Sequence, residues 1–166
     1  AISDIIARRG EIAKLAKMIK DSEDIYFIGR GPDWSACSEC SLKLKEISYI
    51  HSEAYAAGEL KHGTLSLIED GTPVIALASD GGYYDKMCGN IREVRSRGGF
   101  VILVCGENFD EPEKFSDAHF VLPKTERYFT PLATVVFSQL LAYETALLRG
   151  CDVDHPRNLA KSVTVE

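Results

Sequence analysis

Titratable side chains crowd the stretch LKLKEISYIHSEAYAAGELKHG, which runs from Leu42 to Gly63. Glu39, Lys43 and Glu46 follow one another at helical spacing, so they share one face of a helix. Spacing alone favours a solvated stripe, with an ion pair worth about a few tenths of a kcal/mol. The same residues also suit catalysis, because an ammonium group beside Glu46 could hold a sugar hydroxyl or a phosphate while the carboxylate moves a proton.

Two further side chains carry candidate chemistry. His62 lies just before Gly63, where a loop or a short helix is predicted. A lone histidine is more often structural or exposed than catalytic, yet a pKa near neutrality makes His62 the natural acid/base candidate among the four histidines. Lys161 lies near the end of the sequence, where the ordinary interpretation is a solvated lysine in an irregular tail.

Cys37 and Cys40 form a C-x-x-C motif, which is found in zinc and redox sites. A zinc site needs four ligands, and no second cysteine pair with this spacing occurs in the sequence. A thioredoxin-like site would place its first cysteine at a helix N-terminus, whereas Cys37 falls inside the predicted helix. Because Cys37, Cys40, Leu44 and Ile47 share one apolar face, we expect buried structural thiols, and we predict no metal and no cofactor.

The loop GRGPDWS, residues 29–35, follows an apolar strand pattern and contains two glycines that would let a ligand approach the backbone. It lacks the third glycine of a dinucleotide-binding motif, and Pro32 removes one backbone donor. Asp33 is expected to cap the following helix, and its charge would repel a phosphate. A plain tight turn is therefore the favoured interpretation over an anion site.

These candidates must be positioned by strands and helices that alternate along the chain. The alternation predicts βαβ units and a three-layer αβα sandwich with a five-stranded parallel sheet. The predicted strands are 24–29, 51–56, 72–79, 99–106 and 118–123, and the predicted helices are 3–20, 34–49, 83–99 and 131–150.

Composition limits the class of protein. A chain of 166 residues is expected to form one domain with a substantial core. Its net charge of −6 and its lack of a basic patch argue against nucleic-acid binding. No uninterrupted apolar run approaches the 18 residues of a membrane span, so none is predicted. Five cysteines, an odd number, suggest reduced thiols and a cytoplasmic protein.

The stretches LKLKEISYIHSEAYAAGELKHG and DVDHPRNLAKSVTVE closely resemble the isomerase region of the glutamine–fructose-6-phosphate aminotransferases, also called glucosamine-6-phosphate synthases. That region has two sugar-isomerase (SIS) folds in tandem, and this chain resembles the second of them. The resemblance implies an SIS domain over residues 1–150 and a tail, residues 151–166, that closes over the sugar. It also implies that a glutaminase domain and a first SIS fold are missing here.

The resemblance assigns roles to the candidate residues. The family forms an imine from fructose 6-phosphate and glutamine-derived ammonia, and isomerises it to glucosamine 6-phosphate. Glu46 matches the glutamate that moves a proton between C1 and C2, and Lys43 matches the substrate-binding lysine beside it. His62 matches a histidine that helps open the sugar ring in the neighbouring subunit's site, which implies a homodimer. Lys161 matches the lysine that attacks the keto carbon.

One departure from the family pattern matters. SIS folds hold the sugar phosphate with a loop rich in serine and threonine, whereas residues 78–83 of this chain read ASDGGY. We therefore expect the phosphate-binding loop to belong to the missing first SIS fold and the isolated chain to be a poor catalyst. Three alternatives stay open: a regulatory module that binds a sugar nucleotide or phosphosugar at residues 29–35, a scaffold that self-associates through residues 131–150 and the His62 loop, and a free-standing sugar-phosphate isomerase.

Overall fold

Five parallel strands form the central sheet of the chain in a computed structural model, which describes residues 1–159. The strand order is β2-β1-β3-β4-β5. The strands are β1 (Asp24–Gly29), β2 (His51–Ala56), β3 (Pro73–Ala78), β4 (Phe100–Gly106) and β5 (Ala118–Leu122). The helices are α1 (Ile2–Ala7), α2 (Arg9–Ile19), α3 (Pro32–Ser48), α4 (Tyr84–Arg95), α5 (Pro112–Phe115) and α6 (Thr130–Leu148), and short 3₁₀ segments include Ala57–His62 and Thr64–Leu67.

Both faces of the sheet are covered, which explains why β3 and β4 read as nearly continuous apolar runs. Alternate residues of β1 separate the two layers: Ile25 and Phe27 pack with α1, α2, α3 and α6, whereas Tyr26 and Ile28 pack with α4 and the 3₁₀ segments. The predicted three-layer αβα sandwich with a five-stranded parallel sheet is therefore confirmed.

The predicted single helix over residues 3–20 is interrupted. Arg8 leaves helical geometry, with φ −92° and ψ 17°, and separates α1 from α2. Its guanidinium donates to the Val121 carbonyl oxygen at 2.6 Å and lies 4.0 Å from the centroid of the Phe120 ring. The periodicity of the segment is correct on both sides of Arg8, but it cannot reveal a contact with residues more than 110 positions away.

One helical stretch, Arg127–Leu148, is long and apolar enough to cross a membrane when judged by length and composition. The sequence analysis predicted no membrane span because it considered only uninterrupted apolar runs. A few polar residues interrupt this helix but lower its mean hydropathy only slightly, so that prediction does not hold on composition alone. Half of its most apolar window is buried inside the fold. Phe137, Leu141 and Ala142 of α6 belong to the core beneath the sheet, as is usual for a core helix.

Replacing Phe137 with alanine should lower the free energy of unfolding by about 3–5 kcal/mol, because the ring is fully buried and packs on Phe120 with 4.9 Å between centroids. Urea denaturation followed by circular dichroism would measure the change. Leu147→Ala is the matched control on the same helix, since Leu147 is 43% exposed and its removal should cost less than about 0.5 kcal/mol. Equal losses for the two variants would contradict this account of the core.

Candidate active site

Lys43 and Glu46 form the ion pair that their spacing predicts. One turn apart on α3, they bring Nζ of Lys43 within 2.6 Å of Oε2 of Glu46, while Oε1 of Glu39 lies 3.8 Å from the same nitrogen. The hydrogen bond to Glu46 is the main cause that raises the pKa of Lys43 above its ordinary value. Lys43 therefore carries its charge at neutral pH, and both side chains of the pair remain accessible to a partner.

Buried hydroxyl groups fix α3 against the edge strand β2. Ser41 Oγ donates to the Ser52 carbonyl oxygen at 2.9 Å, and Ser52 Oγ donates to the Ser41 carbonyl oxygen at 2.9 Å. Since β2 begins at His51, Ser41 lies level with the start of the strand. Glu46 lies five residues, or about 7 Å of helix, further along the axis. The pair of Lys43 and Glu46 is therefore at the amino edge of the sheet.

His62 is not brought to this pair. It ends the 3₁₀ segment that follows β2, and Ala57 and Leu60 of that segment are buried in the layer opposite α3. The six residues of β2, about 17 Å of extended chain, separate the segment from the end of α3. The His62 side chain is 63% exposed, with Nδ1 2.8 Å from Oε2 of Glu59. Glu46 and His62 of one chain thus lie on opposite sides of the sheet edge.

Lys161 lies outside the described residues. The chain before it leaves α6 beside the C-terminal end of α3, where the Cys151 thiol lies 3.9 Å from the Ser48 carbonyl oxygen. Because α3 and α6 both run from the carboxyl edge to the amino edge of the sheet, the last described residues lie on the same side of the domain as Glu46.

The loop after β3, where SIS folds were expected to hold a phosphate, is occupied by a carboxylate of the chain itself. Asp33 accepts hydrogen bonds from the backbone nitrogen of Ser79 at 2.8 Å, from Ser79 Oγ at 2.5 Å and from the backbone nitrogen of Asp80 at 3.4 Å. Asp33 is buried, and this burial raises its pKa, while the bonds from Ser79 oppose that change. The prediction that Asp33 caps α3 is wrong, since its side chain makes no capping bond there.

A second carboxylate completes the same loop. Asp80 is buried, accepts from the Gly82 backbone nitrogen at 3.0 Å and binds Nη2 of Arg127 at 2.9 Å. The backbone nitrogens of Ser79, Asp80 and Gly82 are therefore all engaged by side chains of the domain. These three amides are not free to receive an anion, and two carboxyl side chains stand where a phosphate would bind.

A cavity of about 380 Å³ opens beyond the carboxyl ends of β3, β4 and β5. Its polar lining residues include Asp80, Tyr84, Lys124, Arg127 and Thr130. None of the predicted catalytic residues within the described part of the chain lines it. Residues 29–35 do not line it either, and Gly31, at φ +56°, leaves no room for a side chain because a Cβ there would lie 2.4 Å from the Tyr83 ring. The interpretation of this loop as a tight turn is supported.

The two cysteines of the C-x-x-C motif are buried, as the sequence predicts. Cys37 and Cys40 are buried thiols without a disulfide, and burial raises the pKa of Cys40 to about 12. Ser138 Oγ of α6 lies 2.6 Å from the Cys40 sulfur, so this residue helps to hold α3 against α6. Within residues 1–159, no group of three or more histidine, cysteine or acidic side chains is arranged to hold a metal ion.

Sequence reasoning missed two features of the site region. The sequence analysis did not predict that Asp33 and Asp80 together fill the loop after β3, although it noted an acidic residue in each of the two loops. Tyr49 and Arg157 stack on each other with 3.9 Å between the guanidinium carbon and the ring centroid. No spacing rule connects positions 108 residues apart, so the sequence held no signal for this second contact.

Comparisons with known proteins identify the family of this fold. The chain matches the SIS domain family over residues 18–149. It is 54% identical over 155 residues to a glutamine–fructose-6-phosphate aminotransferase (isomerizing) of Caldanaerobacter subterraneus subsp. tengcongensis, and 52% identical over 155 residues to that of Symbiobacterium thermophilum. Each alignment covers 93% of this chain but 26% of the relative, so the chain spans about a quarter of the length of these curated relatives.

A solved structure gives the same result. The chain superimposes on the C-terminal domain of glucosamine-fructose-6-phosphate aminotransferase from Francisella tularensis with a TM-score of 0.84 and 36% identity. The match covers 93% of this chain and 43% of the other. The similarity therefore extends over nearly the whole described fold.

Asp33→Ala should lower the free energy of unfolding by about 2–4 kcal/mol, because it leaves the buried donors of Ser79 and Asp80 without their acceptor. Asp33→Asn, which keeps one acceptor oxygen, should cost less. Urea denaturation would measure both, with the more exposed Glu39→Ala as a control expected to change stability by less than about 0.5 kcal/mol. An Asp33→Ala variant as stable as the wild type would show that the carboxylate does not hold the loop.

Proposed function

The chain belongs to the SIS domain family, and from this premise we propose that it is the second SIS domain of a glutamine–fructose-6-phosphate aminotransferase. Residues 1–150 form the domain, and residues 151–166 form a tail that closes over the sugar. The domain supplies Lys43, Glu46 and Lys161 to the conversion of fructose 6-phosphate and glutamine-derived ammonia into glucosamine 6-phosphate. A glutaminase domain and a first SIS domain complete the enzyme.

One observation carries this proposal: the accessible pair of Lys43 and Glu46 lies at the amino edge of the sheet, away from the cavity at the carboxyl edge. Asp33 and Asp80 fill the loop that would otherwise hold a phosphate. The proposed catalytic residues therefore lie at the amino edge of the sheet, whereas the loop that usually holds the phosphate lies at the carboxyl edge. The pair acts on a sugar whose phosphate is held by the first SIS domain, which faces α3.

The proposed reaction proceeds through a Schiff base on Lys161 and then through an enamine. The unprotonated Lys161 amine attacks C2 of the open-chain sugar, water leaves, and ammonia then displaces the lysine to give a protonated imine at C2. Glu46 removes a proton from C1, and the C–H electron pair forms a C1–C2 double bond while the C=N electron pair moves to the nitrogen, which becomes a neutral amine. Glu46 returns a proton to C2 as the C1 hydroxyl loses its own, which leaves an aldehyde at C1. The Lys43 ammonium lies 2.6 Å from the Glu46 carboxyl group and holds it in place on α3.

His62 opens the sugar ring in the site of a second subunit, so the enzyme acts as a homodimer. The separation of His62 from Glu46 within one chain supports this assignment, as does the exposure of the His62 ring. We further propose a cytoplasmic protein that binds neither nucleic acid nor membrane. The net charge of −6, the free thiols and the core role of α6 support these assignments.

Proton exchange in heavy water tests whether this chain forms a complete site alone or shares the site with a first SIS domain. The isolated chain, incubated with fructose 6-phosphate or glucosamine 6-phosphate, should cause no loss of C1 or C2 proton signals by NMR. A chimera in which the chain replaces the matching segment of the Caldanaerobacter relative should catalyse exchange, and Glu46→Gln should reduce its rate at least about 100-fold. Glu39→Gln, on the same helix, should retain the rate. Exchange by the isolated chain would contradict the proposal that the phosphate is held elsewhere.

Mixing two inactive variants tests the sharing of His62. Glu46→Gln and His62→Ala chimeras should each be inactive, but a one-to-one mixed population should recover about a quarter of wild-type activity. Half of the random dimers then contain both variants, and one site in each of them has both residues intact. No recovery, with heterodimers verified by native mass spectrometry, would mean that both residues act within one subunit.

A further inference from the structure

The cavity of about 380 Å³ at the carboxyl edge of the sheet takes no part in the proposed reaction. Its volume lies within the range of sites that hold small molecules. The loops after β3, β4 and β5 supply most of its lining residues, and the start of α6 supplies the others. The cavity therefore lies where parallel sheets usually bind ligands, on the edge opposite to Lys43 and Glu46.

Asp80 and Arg127 give the cavity a carboxyl group paired with a guanidinium group. Asp80 is 4% exposed, and its Oδ2 accepts from Nε of Arg127 at 3.1 Å and from Nη2 at 2.9 Å. Its Oδ1 accepts one bond, from the backbone nitrogen of Gly82 at 3.0 Å. Each carboxylate oxygen can accept two hydrogen bonds, and within residues 1–159 the Nη1 group of Arg127 donates to no protein acceptor. The pair is therefore fixed in place, yet it can still bind hydroxyl groups of a ligand.

Glu107 and Lys124 give the same cavity a second acid and a second base. Oε1 of Glu107 accepts from the backbone nitrogen of Lys124 at 3.2 Å, which connects the loop after β4 to the loop after β5. This bond engages the backbone of Lys124 and not its ammonium group. Both side chains are exposed, so the carboxylate and the ammonium group can each contact a ligand.

The charges of the lining argue against an anion. Among the described residues that line the cavity, Asp80, Glu107, Lys124 and Arg127 have formal charges, and these charges sum to zero. Burial raises the pKa of Tyr84 to about 12, so its hydroxyl group is uncharged at neutral pH. A phosphate would be attracted by the two cations and repelled by the two carboxylates at the same time. A hydroxyl group avoids this conflict, because it donates to a carboxylate and accepts from a cation.

We propose that this cavity is a binding site for an uncharged sugar, an inference that goes beyond the proposed function and does not depend on it. A hexose has several hydroxyl groups for the two acid–base pairs, and its C–H groups can pack on Leu122, Pro123 and Ala133. The phosphate ester of the same sugar should bind this cavity less tightly. A sugar held here leaves Glu46 accessible, since Glu46 lies at the other edge of the sheet.

Two-dimensional amide NMR of the isotope-labelled chain tests this site. Fructose, glucose and mannose are the uncharged probes, and the 6-phosphates of the same three sugars are their charged counterparts. At least one uncharged probe should cause saturable shifts of the Gly82, Gly106 and Lys124 amides, while the amides of α3 around Glu46 stay unchanged. The matching 6-phosphate should bind at these residues at least about tenfold more weakly.

Glu107→Gln should weaken binding of the uncharged sugar about tenfold, because it removes a charged acceptor but keeps an oxygen for the backbone nitrogen of Lys124. Glu126→Gln is the matched control and should retain the affinity, since Glu126 is exposed nearby but does not line the cavity. Absence of shifts at the cavity with all three sugars, or equal affinities of Glu107→Gln and the wild type, would overturn this inference alone. Tighter binding of a 6-phosphate at Gly82 would overturn it together with the proposal that another domain holds the phosphate.

Discussion

The direction of α3 determines where Lys43 and Glu46 lie. In a parallel sheet, each crossover helix must carry the chain from the carboxyl edge back to the amino edge before the next strand begins. α3 starts directly after β1 and ends directly before β2, so Glu46, in its last turn, lies at the amino edge. α6 runs in the same direction and delivers the C-terminal segment to the same place. A site built from these groups must form opposite the edge where parallel sheets usually bind ligands.

The carboxyl edge retains a cavity, but its electrostatics differ from those of a phosphate site. A carboxylate satisfies backbone N–H groups as a phosphate would, so the loop after β3 is stable without a ligand. Asp33 provides this bond from the first turn of α3, and Arg127 balances the charge of Asp80. The same side chain that stabilises the loop therefore excludes the anion. This arrangement is consistent with the proposal that the sugar phosphate is held by another domain.

Most of the fold could be predicted because hydrophobic periodicity and glycine-containing turns are local signals. The strands and the close pair of Lys43 and Glu46 follow from residues that are near each other in the sequence. The layer order follows from the alternation of strands and helices. The sequence could not reveal contacts between distant positions. Arg8 interrupts a regular helical pattern to reach Val121, Asp33 binds Ser79 instead of its own helix, and Tyr49 receives Arg157. Each of these contacts depends on the completed packing of the sheet.

The separation of Glu46 and His62 is the reason that the proposed catalytic arrangement includes a second subunit. Both residues lie in one short stretch of sequence, yet β2 lies between them and pairs with β1 along all six of its residues. Bringing them together within one chain would require breaking this pairing and exposing the buried Ser41 and Ser52 hydroxyls. A second subunit meets the same requirement through surface contact alone. For a fold with these two groups on opposite sides of its edge strand, the proposed sharing of a site between copies leaves this pairing intact.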